Sequence, residues 1–191
     1  MRQGSEADEE VSDEALLSGV AIGDDQAIIA FVRRYQRRLF GLALGIVADP
    51  GIAEDVAQEA FIRILRHASV YDARRGSVSS WVLTIARNLA IDSLRMRRSI
   101  PTAPTDVTFA TLTSSDVSPD DVAAARDSTS RTLNALASLP LEQRRCVVLA
   151  SLYGRTAADI AALESIPLGT AKSRIRLGMT KLRDVLVKEE A

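Results

Sequence analysis

Residues 99–120 constrain the fold more than any other part of this chain. Pro101, Pro104 and Pro119 stand there among Ser, Thr and Asp residues, with no Lys or Arg. Proline removes backbone donors, and a stretch so poor in large apolar side chains cannot repay the entropy of being ordered. A linker over 99–120 is therefore predicted, and any core must be built separately on each side of it. Both flanks carry apolar residues at helical spacing, so the expected fold class is all-α: two small helical domains joined by a flexible linker. The predicted limits are an acidic tail over 1–12, a first domain over 13–98 and a second over 121–188. A chain of 191 residues, 47% of them hydrophobic, can fill two such cores. Its 10 Gly and 6 Pro are too few for the turns of an all-β protein.

In the first block a weak helix is expected near Asp13–Val20 and a long one from about Gln26 to Ala48. Asp24 or Asp25 can cap the long helix by accepting hydrogen bonds from its first amides. Ala27, Phe31, Tyr35, Leu39 and Ala43 repeat every four residues and form one buried stripe. Asp49-Pro50-Gly51 breaks the chain. A third helix, about Ile52 to His67, has Val56, Ala60, Phe61, Ile64 and Leu65 as its apolar face. A loop over Ala68–Ser77 leads to a fourth helix, about Val78 to Arg98, and Trp81 within it is expected in the core.

Beyond the linker, Leu133, Leu136, Ala137 and Leu139 lead to Pro140, which suits a first helical turn because its missing donor would be unpaired there. Cys146, Val147, Leu149 and Ala150 continue the pattern to Tyr153-Gly154. Thr156 caps a short helix ending near Leu163. A turn over Glu164–Pro167 leads to a last helix from Leu168 to about Val187.

Several function classes are unsupported. Cys146 is the single cysteine and His67 the single histidine, which excludes an internal disulfide and makes a Cys/His metal cluster or a Ser-His-Asp triad unexpected. No Gly-rich phosphate loop, metal cluster or nucleophile–base pair is apparent, so no catalytic residue, metal, cofactor or small-molecule substrate is expected. No apolar run reaches the roughly 20 residues of a membrane span. The N-terminal Glu6, Asp8, Glu9 and Glu10 are the reverse of a signal peptide's basic start, so a cytoplasmic location is expected.

The net charge of −1 hides a strong segregation. Residues 1–25 carry Glu6, Asp8, Glu9, Glu10, Asp13, Glu14, Asp24 and Asp25 against Arg2 alone. Residues 168–183 carry Lys172, Arg174, Arg176, Lys181 and Arg183 and no acid. A polyanion feels local potential within about 10 Å, so this distribution outweighs the total. The segment Thr156–Leu163, a short turn, and the helix opening at Leu168 have the spacing of a helix-turn-helix. With Ile175 turned inward, Ala171, Met179 and Leu182 fall within about 40° of it at 100° per residue. Ser173, Leu177 and Thr180 then point outward, flanked by Arg174 and Arg176, a face able to enter a major groove. The first-turn amides near Gly169 and Thr170 suit a phosphate. The competing reading is an ordinary basic surface helix; the absence of acids over 168–183 favours DNA.

Two further polar faces stand out. Asp55, Gln58 and Glu59 share one face of the third helix by i, i+3, i+4 spacing, either as a solvated surface or as a patch for a basic partner helix. Thr84, Asn88, Asp92 and Arg95 form a stripe on the fourth helix, extended by Arg98 and flanked by Arg87 and Arg97; Asn and Arg suit base edges and phosphates.

These segments together resemble the extracytoplasmic function (ECF) sigma factors of RNA polymerase. Leu139-Pro140, Arg144, Leu149, Gly154, Asp159-Ile160-Ala161, Pro167 and Gly169–Arg174 resemble region 4 of that family. Ala53–Phe61 resembles region 2.2, and Trp81–Arg95 resembles regions 2.3 and 2.4. Three positions depart from the family's habit: Ser165 where Gly is frequent, Ala171 where Val is usual, and Asp159 where Glu is common. A positive φ at Ser165 would add turn strain.

The resemblance implies a non-enzymatic factor that binds core RNA polymerase and directs it to promoter DNA. Asp55, Gln58, Glu59 and Phe61 would contact the polymerase. Tyr71, Arg74, Arg75, Arg87, Asn88, Asp92, Arg95 and Arg98 would serve the −10 element, with Tyr71 either stacking an extruded base or anchoring its loop. Gly169, Thr170, Lys172, Ser173, Arg174, Arg176 and Leu177 would serve the −35 element. The acidic linker (Asp106, Asp116, Asp120, Asp121) would follow the polymerase's basic RNA-exit path, and an anti-sigma factor would be the regulator. The rival is a promoter-binding regulator with a sensory N-terminal domain, which needs no polymerase.

Overall fold

Helices in the N-terminal half begin where a side-chain oxygen can satisfy first-turn amides. Ser12 accepts from the Ala15 amide at 3.1 Å and opens α1 (Asp13–Ala21). Asp24 accepts from Gln26 and Ala27 and opens α2 (Asp25–Val47). Asp49 accepts from Ile52, and Pro50 occupies the first turn of α3 (Pro50–His67). The break between α2 and α3 is made at Ala48, which takes a left-handed φ of 56°, so Pro50 and Gly51 start a helix rather than merely interrupt one. Short 3-10 turns over Ala68–Val70 and Ala73–Arg75 lead to α4 (Val78–Ser99).

The computed structural model describes residues 11–99 and 129–189, without the side chains of 97–99 and 188–189. The acidic tail over 1–10, the linker positions 100–120 and residues 121–128 lie outside the described residues. The C-terminal half begins with a helix over 129–137, here α5. It continues with α6 (Leu141–Tyr153), α7 (Ala157–Glu164) and α8 (Leu168–Glu189). No strand occurs among the described residues.

The predicted stripe of α2 is the centre of the first core. Phe31, Tyr35, Leu39, Leu42, Ala43 and Ile46 are fully buried, against Ile64 of α3 and Val78 and Val82 of α4. Each large apolar side chain enclosed in this way contributes roughly 1.5–3 kcal/mol. The rings of Phe31 and Tyr35 stack with centroids 4.7 Å apart. Tyr35 is buried but not orphaned, because its hydroxyl donates to Asp13 Oδ2 at 2.6 Å and so ties α1 to α2. Leu65, expected on the buried face of α3, is 36% exposed.

The C-terminal half contributes Leu133, Leu136, Leu139, Val147, Leu149, Ile160 and Ala171, and these join the first half's buried side chains in one continuous cluster instead of forming the separate core expected from the linker. Ala135 takes the buried place expected for Ala137, which is exposed. Cys146 is fully buried, and burial pushes its thiol pKa up, so it behaves as a small apolar side chain. On α8 the inward line runs Ala171, Ile175, Gly178 and Leu182, while Met179 is 44% exposed. Gly178 wins because α6 passes close by: a Cβ there would lie 2.6 Å from Val147 Cγ2.

The two halves pack on each other through α2 and α6. A Cβ on Gly45 would sit 3.0 Å from Val148 Cγ2, so the missing side chain sets how closely these helices approach. Tyr153 donates to the Arg38 carbonyl at 2.6 Å, and Arg144 donates to the Ile46 carbonyl at 2.9 Å. Ion pairing completes the contact: Glu164, at the end of α7, meets Arg87 of α4 at 2.6 Å and also pairs with Arg145 of α6.

Candidate nucleic-acid interface

The helix-turn-helix forms as its residues predict. Thr156 and Asp159 make a reciprocal capping box: the Thr156 hydroxyl accepts from the Asp159 amide at 3.1 Å, and the Asp159 carboxylate accepts from the Thr156 amide at 2.9 Å. Hydrogen bonds from Thr156 hold the Asp159 carboxyl below the ordinary aspartate range. Asp therefore does the work of the family's usual Glu. The turn closes on Ser165 at φ 52°, where its amide and that of Ile166 return to Ala162 and Ala161.

Beyond this turn α8 presents the basic face. Lys172, Ser173, Arg176 and Leu177 are exposed, with Leu177 at 44%, and Arg174 and Thr170 are half-buried beside them. Gly169 faces open space. The Ser173 hydroxyl donates to the Gly169 carbonyl at 2.9 Å, leaving its lone pairs outward. The predicted residues therefore form one continuous surface.

The loop before α4 builds a cavity of about 290 Å³. Its walls include Val70, Tyr71, Arg75, Trp81, Thr84 and, from α7, Leu163. Tyr71 both anchors and lines it: the hydroxyl donates to the Gly76 carbonyl at 2.8 Å, and the ring lies 5.6 Å from that of Trp81. Trp81 packs against the core as expected, and, being only half-buried, also forms a wall of the cavity. Two aromatic rings with Ser77, Ser80 and Thr84 offer stacking and hydrogen-bonding partners of the kind an unstacked base needs. The sequence reading weighed Trp81 as a stacking residue and favoured the core, and it missed Ser77 and Ser80 as part of this site; only the family's loop position pointed near them.

The other predicted −10 residues divide by neighbourhood. Arg74 is exposed and donates through Nε and Nη2 to Asp72 at 3.0 and 2.9 Å, and this holds the Asp72 carboxyl below its usual range. Asn88, Asp92 and Arg95 are exposed along α4, with Asp92 and Arg95 3.7 Å apart. The side chain of Arg98 lies outside the described residues. Arg87 stands apart: its side chain is 11% exposed, held by Glu164 and by Asn88 Oδ1 at 2.7 Å.

On α3, Asp55 and Gln58 are exposed and Glu59 is half-buried, paired with Arg63 at 2.7 Å. Phe61 packs against the core instead of joining that face. Ile62, at 43% exposed, extends the acidic patch by one helical turn, an apolar neighbour that the charge pattern alone did not reveal. Among the described residues no helix is long and apolar enough to cross a membrane, and no cluster of metal-ligating side chains occurs.

Comparison with known proteins identifies the family. The family model for Sigma-70 region 2 matches residues 31–100, and that for Sigma-70 region 4 matches residues 130–182. The ECF RNA polymerase sigma factor SigK of Mycolicibacterium vanbaalenii is 35% identical over 174 residues, covering 91% of this chain and 88% of that protein. SigK of Mycobacterium tuberculosis is 31% identical over 173 residues, covering 91% and 92% respectively. Among solved structures, CnrH in complex with the cytosolic domain of CnrY aligns with a TM-score of 0.67 at 22% identity, covering 92% of this chain and 97% of that one. The sigma factor RpoE in complex with the anti-sigma factor NepR from Bartonella quintana aligns at 0.62 and 20% identity, covering 81% and 93%. At such identities these two structures speak for the fold.

Proposed function

The chain belongs to the ECF RNA polymerase sigma factors, and on that premise we propose that it binds core RNA polymerase in the cytoplasm and directs it to a subset of promoters. The observation that carries the reading is the pairing of two DNA-suited surfaces on separate helical units: the exposed basic face of α8 and the aromatic-walled cavity beside α4. Asp55, Gln58, Glu59 and the adjoining Ile62 dock the polymerase. Tyr71, Trp81 and the polar rim take an unstacked −10 base. Asn88, Asp92 and Arg95 line the adjoining strand, with Arg74 and Arg75 on its backbone. Lys172, Ser173, Arg174, Arg176 and Leu177 enter the −35 major groove, and the Gly169 and Thr170 amides meet a phosphate. The factor itself performs no chemistry; the polymerase does. The solved complex of RpoE with the anti-sigma factor NepR supports regulation of this chain by a protein of that kind.

The test is co-purification with core polymerase followed by run-off transcription on genomic fragments. Asp55→Lys with Glu59→Lys should abolish the association, and retained association rejects the docking face. Arg176→Ala should weaken specific duplex binding by roughly 1–3 kcal/mol. A uniform loss on every sequence with a shallower salt dependence would assign Arg176 to phosphate instead.

A further inference from the structure

Arg34, Arg87, Arg144 and Arg145 are half-buried, and each has acceptors that suit a cation. Arg34, Arg87 and Arg145 hold carboxylates, and Arg144 holds the backbone carbonyls of Ile46, Ala137 and Leu139. Arg155, in the turn between α6 and α7, is equally withdrawn from water but differs from them. Its Nε is enclosed without a hydrogen-bond partner, and its Nη2 reaches the Ser79 hydroxyl at 3.4 Å. Arg38 of α2 donates to the same oxygen through Nη2 at 2.9 Å. Among the described residues neither arginine pairs with a carboxylate. Asp159 feels Arg155 through space, but its carboxylate is occupied by Thr156. Two cations therefore share one neutral hydroxyl, within about 6 Å of each other, and repel with no anion between them. Ser79 lies in the first turn of α4, whose positive end adds to that field.

We infer that Arg38, Ser79 and Arg155 form a seat for a phosphate dianion, free or carried on a small metabolite. All three groups aim donors at one point. The Ser79 oxygen accepts from both arginines, so its own proton remains to give. A phosphate oxygen rests about 2.7–2.9 Å from a guanidinium nitrogen, so one phosphate can offer each arginine its own acceptor and take the Ser79 proton on a third. A carboxylate brings two oxygens and a single charge to three donor groups and two cations, which is the poorer match. Arg38 is held ready: its guanidinium lies over the Tyr35 ring, 5.5 Å from the centre, which sets the plane from which Nη2 reaches Ser79. Arg38 is exposed, so the seat is open to water on that side. The seat uses none of the residues assigned to polymerase or promoter, and it would bind phosphate whatever became of the function proposed above.

Calorimetric titration of the full chain tests the seat. Sodium phosphate, added in chloride buffer of matched ionic strength, should bind at one site. Arg38→Gln and Arg155→Gln should each weaken that binding about tenfold or more. Arg33→Gln and Arg37→Gln remove exposed charges of the same helix outside the seat and should change the affinity by less than about twofold. Glycerol 3-phosphate separates the two sources: affinity like that of free phosphate admits an esterified ligand, and binding of free phosphate alone restricts the seat to the inorganic ion. No binding of either, an unchanged affinity in Arg38→Gln, or equal losses in all four variants overturns the seat. Ser79→Asp reads the same charge deficit without a ligand, and it keeps the test decisive if Arg155→Gln loosens the fold. It should abolish phosphate binding and raise the melting temperature by about 2–4 °C, with most of the rise lost when Arg38→Gln is added. A Ser79→Asp protein that melts at or below the parent, or that still binds phosphate, overturns the seat as well.

Discussion

Gly178→Ala sets two effects of known size against each other. In an unhindered helix interior, Ala is favoured over Gly by about 1 kcal/mol. At this position the new methyl would lie 2.6 Å from Val147 Cγ2, 3.3 Å from Gln143 Cβ and 3.4 Å from the Gln143 carbonyl oxygen. Carbon atoms at rest sit about 3.5–4.0 Å apart, so α8 must retreat from α6 by roughly 1 Å. Two of the three obstructing atoms belong to or adjoin the α6 backbone and cannot rotate away. Overpacking of this kind costs about 1–3 kcal/mol. The propensity gain offsets only part of that, leaving the C-terminal unit about 1–2 kcal/mol less stable. For a unit of this size, each kcal/mol lowers the melting temperature by roughly 4–8 °C. Far-ultraviolet circular dichroism during heating of the full chain measures it. Val147→Ala removes the methyl that blocks the way, so the double variant should lose less than the sum of the singles, with a coupling of about 1 kcal/mol. A Gly178→Ala protein that melts at or above the parent, with strictly additive effects, would refute the packing argument.

Two departures from the family pattern predict further outcomes in the same assay. Ser165→Gly should stabilise the helix-turn-helix by about 0.5–1 kcal/mol, because glycine occupies a φ of 52° without a Cβ penalty; an unchanged or lower melting temperature speaks against strain in the turn. Asp159→Ala removes the capping box, and its effect carries a pH signature. The Asp159 pKa is depressed in the folded chain, so its contribution is complete above the ordinary aspartate value of 3.8 and is lost as pH falls through the lower folded value. The difference in melting temperature between parent and variant should be full at about pH 6 and close toward about pH 3; a difference independent of pH would remove the carboxylate from the cap.

Local chemistry made much of this legible from sequence. Asp24 and Thr156 announced helix starts because a side-chain acceptor before an apolar-periodic run has few other uses, whereas Asp49, read only as part of a break, proved to be a third such cap. The α2 stripe was visible because burial repeats with the helical period. The inward line of α8 was less so: residues 178 and 179 flank position 175 on the wheel, and only the close passage of α6 selects the smaller one. The docking of the two halves had no local signal, since its contacts join residues about a hundred positions apart, such as Arg144 with Ile46 and Tyr153 with Arg38. Gly41 and Gly45 offered the one available hint. Glycine spaced by four inside a long helix costs stability unless something passes close by, and here Tyr153 and Val148 do. Trp81 was read as core, and it does pack there; helical spacing could not say that the same ring also opens onto a cavity.

That ring is the chain's single tryptophan. Its indole stands on the wall beside Tyr71, where Leu163 of α7 also reaches the cavity. Ultraviolet emission from the isolated protein therefore originates at the one spot where nucleotide entry and release of the helix-turn-helix unit would both be felt. Nature has installed a label-free optical gauge there: a stacking base should quench it, and departure of Leu163 should shift its colour toward that of a hydrated indole.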